Sequence, residues 1–222
     1  MDWIKFDDNT AVAAAARDRI LTTAALAIAA RGAFRIVLAG GHTPELAYRL
    51  LAEAETDWSR WWVYYGDERC LPPEYPERNS RMAREALLER VAIPFGQVFP
   101  MPAELGAEAG AARYAECLGN ALPFDLVLLG LGEDGHTASL FPGQVYRAGL
   151  VMPVYDAPKP PPERISLTPK ALGDCRRLLF LVTGEGKREA VRRWRAGESL
   201  PAARISPRGA AEVLLDRAAW GG

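Results

Sequence analysis

The stretch Phe124-Asp125-Leu126-Val127-Leu128-Leu129-Gly130-Leu131-Gly132-Glu133-Asp134-Gly135-His136-Thr137 constrains the fold more than any other part of the chain. Its apolar run reads as a buried strand, and strands of this kind belong to parallel sheets. The run breaks into three glycines, two acids and a histidine. In open α/β sheets, ligands bind in the crevice outside the carboxyl ends of the strands. Asp134 and His136 are therefore expected where small-molecule chemistry is done. The only other histidine, His42, follows another such strand.

Around this segment, strand-like and helix-like stretches alternate. Ala11 to Ala30 is rich in helix formers and is stopped by Gly32. Phe34 to Leu38 reads as a strand. Gly40-Gly41 breaks it, and a helix capped by Thr43, with Pro44 in its first turn, runs to about Glu53. Trp61 to Tyr65 is the next strand, ended by Gly66-Asp67-Glu68-Arg69. After a proline-rich loop, Asn79 or Ser80 is expected to cap a helix through Val91. A short strand over Gln97 to Met101 and a glycine-weakened helix over Glu104 to Leu122 precede the opening segment. Leu150 to Val154, Ile165 to Thr168, Leu178 to Val182 and Val213 to Leu215 are later strand candidates, and Gly184 to Trp194 reads as a helix. The expectation is one α/β domain over residues 1–222: a mostly parallel central sheet flanked by helices, a Rossmann-like open sheet.

Composition narrows the function. Hydrophobic residues make up 49% and charged residues 25%, as in ordinary globular proteins. A formal net charge of −1 gives no global field to draw nucleic acid or anionic lipid, so any anion site must be a local pocket. The alanine run from Ala24 to Ala30 is too short to cross a bilayer. The first residues lack the basic start of a signal peptide. Cys70, Cys117 and Cys175 are odd in number and form neither a disulfide framework nor a metal spacing, which suits a reducing cytoplasm. No metal site is expected.

Four segments could carry chemistry. In Gly40-Gly41-His42-Thr43-Pro44 two glycines let the backbone approach a ligand, and a helix N-terminus offers free N–H groups to an anion. The same residues also suit a plain strand-to-helix turn. Gly66-Asp67-Glu68-Arg69 puts two carboxylates and a guanidinium at a strand end, to orient hydroxyls and hold an anion, or simply to form a solvated turn. In Asp134-Gly135-His136, histidine is the natural proton carrier near neutral pH, and an adjacent acid would fix its tautomer. Lys187 sits early in a helix, where a cation is unfavourable without an anion nearby; Arg164, ahead of a strand, is ambiguous alone.

In this order the segments resemble the sugar-phosphate family that contains 6-phosphogluconolactonases and glucosamine-6-phosphate deaminases. The matching blocks are Leu38 to Pro44, Gly66 to Pro72, Asn79 with Ala83-Arg84, Asp134 to Gly143, Arg164 to Thr168 and Gly184 to Lys187. The block Asp134-Gly135-His136-Thr137-Ala138-Ser139-Leu140-Phe141-Pro142-Gly143 is the most specific and is similar to the lactonase branch.

The resemblance implies hydrolysis of 6-phosphoglucono-δ-lactone in the oxidative pentose phosphate pathway, without a cofactor, on a small phosphosugar lactone, with no nucleic acid or membrane as partner and the oligomeric state open. It implies His136 as acid/base. Arg164, Lys187 and the turn Gly40, Gly41, His42 and Thr43 would hold phosphate. Asp67, Arg69 and Asp134 would line the sugar end, with Asp134 or Asp67 orienting the imidazole. The chain departs from the family at His42 and at Arg78, where serine is common in each case. The deaminase branch carries Asn-Glu-Pro where this chain has Leu140-Phe141-Pro142, and Tyr where it has Arg69. A non-catalytic phosphosugar sensor is the remaining alternative, but no basic patch or spare segment for DNA binding supports it.

Overall fold

The structure is a computed structural model and describes residues 1–221. The chain begins with β1 (Asp2–Phe6) and the long α1 (Asn9–Arg31). Asp8 caps α1 by accepting the Ala11 N–H at 2.8 Å; Gly32, with φ at +73°, ends it by donating to the Ile28 carbonyl. There follow β2 (Phe34–Leu38), α2 (His42–Leu51), β3 (Trp61–Tyr65), β4 (Asp67–Arg69), α3 (Asn79–Ala83) and α4 (Ala107–Leu118). The second half runs through β5 (Leu126–Gly130), β6 (Val151–Val154), β7 (Arg164–Leu167), α5 (Pro169–Gly173), β8 (Arg177–Val182), α6 (Arg188–Arg195), β9 (Ala210–Asp216) and α7 (Arg217–Trp220).

Six strands form a wholly parallel sheet in the order β1-β9-β8-β5-β2-β3. The near-continuous apolar runs of β2, β5 and β8 are explained by burial on both faces. From β2 the chain winds outward to β3, whereas from β5 it winds the other way through β8 to β9. The direction therefore reverses between β2 and β5, which is the switch point where such sheets open a crevice.

A second, antiparallel sheet in the order β4-β7-β6 stands over that crevice. Gly66 makes the transfer from one sheet to the other. Its N–H donates to the Leu38 carbonyl of β2, and its carbonyl accepts the N–H of Leu167, the last residue of β7. The expected strands at Leu150 to Val154 and Ile165 to Thr168 exist, but they belong to this sheet.

Several expectations require correction. β1 was not foreseen. Helix α2 starts one residue earlier than Thr43, with Gly41 (φ +106°) at the cap position, because the Thr43 hydroxyl is engaged elsewhere. Neither Asn79 nor Ser80 caps α3 with its side chain; both backbone N–H groups donate to the Glu68 carboxylate, each at 2.8 Å. α3 runs on as a π-helical turn over Arg84–Leu88 and stops there, short of Val91. Gln97 to Met101 forms no strand: a 3-10 turn covers Phe95–Gln97 and one bridge joins Val98 to Val63. α4 is trimmed from Glu104 to Ala107 and from Leu122 to Leu118 because Gly106 and Gly119 take positive φ at its two ends.

Candidate functional site at the sheet switch point

The carboxyl ends of β2, β3 and β5, together with β4 and β7, enclose a cavity of about 110 Å³. Gly40, Asp67, Arg69, Asn79, His136 and Arg164 are on its wall. Five of the ten expected site residues thus converge on one small space.

His136 is held from three sides. Its Nδ1 lies 2.5 Å from Asp134 Oδ1, and its backbone N–H donates to the same oxygen at 3.0 Å. Its ring packs against Phe141 at 4.8 Å between centroids. Its carbonyl accepts the Gly132 N–H. A Cβ at Gly132 would lie 2.0 Å from His136 Nδ1, so only glycine lets the imidazole occupy this place. Desolvation works against ionisation of Asp134, but the His136 N–H and the imidazole outweigh it and hold the carboxyl below the usual range. A carboxylate at Nδ1 keeps the proton on that nitrogen and leaves Nε2 free as an acceptor. Of the two acids that could orient the imidazole, Asp134 is the one bonded to it.

The loop is fixed at its far end as well. Thr137 Oγ1 donates to the Gly130 carbonyl at 2.8 Å, and Thr137 and Leu140 pair across a tight turn. Within that turn Ala138, a cavity-lining residue, takes φ +47°, a conformation that costs a side-chain-bearing residue energy and that the surrounding bonds must enforce.

Asp67 is buried, and its carboxylate is committed on both oxygens. Ser139 Oγ donates to Oδ2 at 2.6 Å and Asn79 Nδ2 to Oδ1 at 3.1 Å. The Gly40 backbone needs its bareness here, since a Cβ would fall 2.0 Å from Asn79 Oδ1. Glu68 takes no part in the cavity. It is 0% exposed and accepts the backbone N–H groups of Arg69, Asn79 and Ser80, while Arg78 Nε sits 3.2 Å away. The segment is a buried strand, not a solvated turn.

The register of β4 with β7 sets Arg69 opposite Arg164. Like charges directly opposite each other are unfavourable in a sheet. Neither guanidinium forms an ion pair among the described residues: Arg164 donates to the carbonyls of Pro161 and Lys159, Arg69 Nη1 to that of Glu77. Arg69 Nε is buried without a partner. Burial lowers the Arg164 pKa; Asp67 opposes this and Arg69 adds to it. The two guanidiniums share the cavity wall with the Asp67 carboxylate, and neither is paired with a carboxylate in an ion pair among the described residues.

The other expected residues lie beside the cavity. Gly41 and the exposed His42 open α2. Thr43 is buried, its Oγ1 2.5 Å from Thr183 Oγ1 at the end of β8. Thr183 leads into the turn Glu185–Lys187, anchored where Asp216 accepts the Gly184 N–H at 3.0 Å. Lys187 is half-buried there and forms no ion pair among the described residues. Desolvation lowers its pKa, and Glu133 and Asp134 pull it back up.

Sequence reasoning missed Asn79 as a partner of Asp67, and missed Ser139 and Asp216; Thr183 stood next to Gly184 in the segment that carries Lys187, but its pairing with Thr43 was not foreseen. Asn79 and Ser139 fell inside matching blocks, so position in a block was the only available signal. No group of three or more potential metal ligands occurs among the described residues. No described helix is long and apolar enough to cross a membrane.

These features define an open-sheet α/β protein with a histidine–carboxylate pair and unpaired cations at its switch point. The family model for glucosamine-6-phosphate isomerases and 6-phosphogluconolactonases matches residues 7–215, and the chain belongs to that family. It is 40% identical to a 6-phosphogluconolactonase of Mycobacterium tuberculosis, over 96% of this chain and 94% of that protein. It is 38% identical to the 6-phosphogluconolactonase of Rattus norvegicus, over 85% and 80% of the two chains. The crystal structure of 6-phosphogluconolactonase from Thermotoga maritima superposes with a TM-score of 0.91 at 28% identity, covering 97% of this chain and 99% of that one.

Proposed function

We infer that this chain, acting over residues 1–222 as one unit in the cytoplasm, hydrolyses 6-phosphoglucono-δ-lactone to 6-phosphogluconate in the oxidative pentose phosphate pathway. The observation that carries the reading is the His136 imidazole, oriented by Asp134 at 2.5 Å, on the wall of a cavity that also presents Arg69 and Arg164. A lactone carbonyl is already electrophilic. The enzyme has only to place water, remove its proton and stabilise the oxyanion. His136 Nε2 takes the proton from water as the water oxygen bonds to the carbonyl carbon. The ring C–O bond then breaks, and the same proton goes to the departing ring oxygen. Asp134 stabilises the imidazolium that exists between the two transfers. Arg69, with its unpartnered Nε, is suited to the carbonyl oxygen or a sugar hydroxyl. Asp67, locked by Ser139 and Asn79, is suited to a second hydroxyl.

At about 110 Å³ the cavity is smaller than the ~300–1,000 Å³ usual for small-molecule sites. It takes the reacting end of the substrate, and the phosphate lies towards Arg164, Lys187 and the turn from Gly40 to Thr43. The free N–H groups at the start of α2 and the unpaired Lys187 favour an anion there. Phosphate binding remote from the carbonyl supplies energy for orientation at the reacting carbon. The chemistry requires no cofactor. The test is acid release from the lactone by purified protein, corrected for spontaneous hydrolysis. A rate no greater than that of buffer would overturn the reading.

A further inference from the structure

Arg164 is on the wall of the active-site cavity, yet two of its nitrogens are given to the loop that precedes β7. Nε donates to the Pro161 carbonyl at 3.1 Å and Nη2 to the Lys159 carbonyl at 2.8 Å. The loop is closed at its base, where the Ala157 N–H donates to the Pro162 carbonyl at 3.1 Å. Within Pro158-Lys159-Pro160-Pro161-Pro162, every residue but Lys159 is proline. Proline fixes φ, so this segment has little freedom of its own. A stiff loop, pinned to a cavity-wall arginine, thus carries a single lysine.

That lysine reaches the mouth of the crevice. Its Nζ lies 3.4 Å from Glu133 Oε2, and Glu133 precedes Asp134, the acid that orients His136. The other Glu133 oxygen faces the turn that holds Lys187, since a Cβ on Gly186 would lie 3.4 Å from Oε1. Glu133 therefore stands between Lys159 on one side and Gly186, the neighbour of Lys187, on the other. Desolvation is the main cause of the depressed Lys187 pKa; Lys159 adds to it, and Glu133 and Asp134 oppose it.

Two lysines from separate loops around the Glu133 carboxylate leave one positive charge over. The Lys159–Glu133 pair is also loose, its side chains 65% and 60% exposed, and exposed pairs are weakly held. A phosphate, with more charge and more acceptor oxygens than one carboxylate, can take the ammonium from it. We propose that Lys159 is a further substrate-binding residue, the second ammonium of the phosphate site, presented beside Lys187 by the loop that Arg164 pins. The proposal rests on the reading of Lys187 as a phosphate-binding residue.

The loop is anchored through main-chain carbonyls, so substitutions of the Lys159 side chain leave its anchors intact. Steady-state kinetics on 6-phosphoglucono-δ-lactone and on glucono-δ-lactone, with inorganic phosphate as inhibitor, provide the test. Lys159→Ala should raise KM for the phosphorylated lactone and the inhibition constant of phosphate about two- to fivefold, the worth of one exposed ion pair. Lys159→Glu puts repulsion in place of attraction and should raise both about four- to twenty-five-fold. Lys159→Arg should keep both near the wild-type values. In all three, kcat and the KM for glucono-δ-lactone should stay unchanged. Lys187→Ala is the control. If it weakens only the phosphorylated lactone while Lys159→Glu keeps the wild-type KM, the proposal is overturned and the phosphate site stands. Equal losses on both substrates in Lys187→Ala would overturn both. A Lys159→Glu variant that lowers kcat, or affects both substrates alike, would make Lys159 a structural residue of the loop and overturn the proposal.

Discussion

His136 owes its chemistry to Asp134 and its position to Gly132. Asp134 fixes the proton on Nδ1, while the missing Cβ of Gly132 leaves room for the ring. The two contributions are separable by mutation. His136→Ala should lose about a hundred- to ten-thousand-fold in catalysed rate, the usual worth of general acid–base catalysis, while still binding 6-phosphogluconate. A variant turning over near the wild-type rate in a buffer-corrected assay would remove His136 from the mechanism. Gly132→Ala keeps every functional group but pushes the imidazole aside. Misplacement on the ångström scale costs on the order of a hundred-fold, so kcat should fall by about that much with the thermal melt little changed. Unaltered kcat would show that the ring has freedom the packing denies it.

At the scale of elements, the turn after β8 and the strand β4 carry the charges. Lys187 is half-buried and its pKa is depressed, desolvation being the largest cause. In the proposed reading the charged form is the one that holds phosphate, so affinity should be full below this pKa and be lost as pH rises through it. That loss should begin below the ordinary lysine range. In Lys187→Arg, whose guanidinium stays charged, the alkaline rise in KM should disappear; a rise that persists would assign it to another group. Lys187→Ala should weaken phosphorylated substrate about ten- to a hundred-fold and an unphosphorylated lactone far less. Equal losses on both would make Lys187 structural. Glu68 works differently, as a buried carboxylate that holds three backbone N–H groups and Arg78. Removing one partner of a buried pair leaves the other uncompensated, so Glu68→Ala should cost about 3–5 kcal/mol in denaturant unfolding. A loss under about 1 kcal/mol would mean that Glu104 alone satisfies Arg78.

Elements also show where the sequence was readable. β2, β3, β5 and β8 were legible because burial on both faces makes their runs continuously apolar. β1 was not: it is an edge strand whose Asp2 and Lys5 are exposed, and only pairing with β9 makes it a strand. The three residues of β4 are two acids and an arginine, and nothing local says that Ser166 and Arg164 lie across from them. For the site, the residues next to glycines at strand ends were legible, since strand-end loops have few structural duties besides ligand contact. Glu68 looked as exposed as Asp67 because adjacent strand residues point to opposite faces, and the sequence does not say which face is the crevice. Thr43 looked like a cap because its partner, Thr183, is 140 positions away.

The whole molecule sets one sheet across the carboxyl ends of another, and the meeting of the two decides which reaction of the family the site supports. The histidine comes from the parallel sheet's loop after β5. Asp67, Arg69 and Arg164 come from the antiparallel sheet above. Phe141, at the end of the histidine loop, bridges the two: it packs on the His136 ring at 4.8 Å and lies under Arg164 at 5.7 Å. Resemblance places a glutamate of the deaminase branch at this position. A deaminase must open an amino-sugar ring and move a proton between adjacent carbons, which needs a relay reaching both. Hydrolysis of a lactone needs one activated water at one carbon, and a single imidazole serves it. The two unpaired guanidiniums add a second obstacle, because they repel a protonated amine brought to the sugar end. Glucosamine 6-phosphate should therefore release no ammonia, and Phe141→Glu should not restore release, since the new carboxylate lies beside Arg164 and the guanidiniums remain. An ammonia-coupled assay run beside the lactonase assay on the same preparation decides the matter. Steady ammonia production comparable to lactone hydrolysis, in the wild type or in Phe141→Glu, would mean that neither the missing carboxylate nor the cation pair separates the two branches.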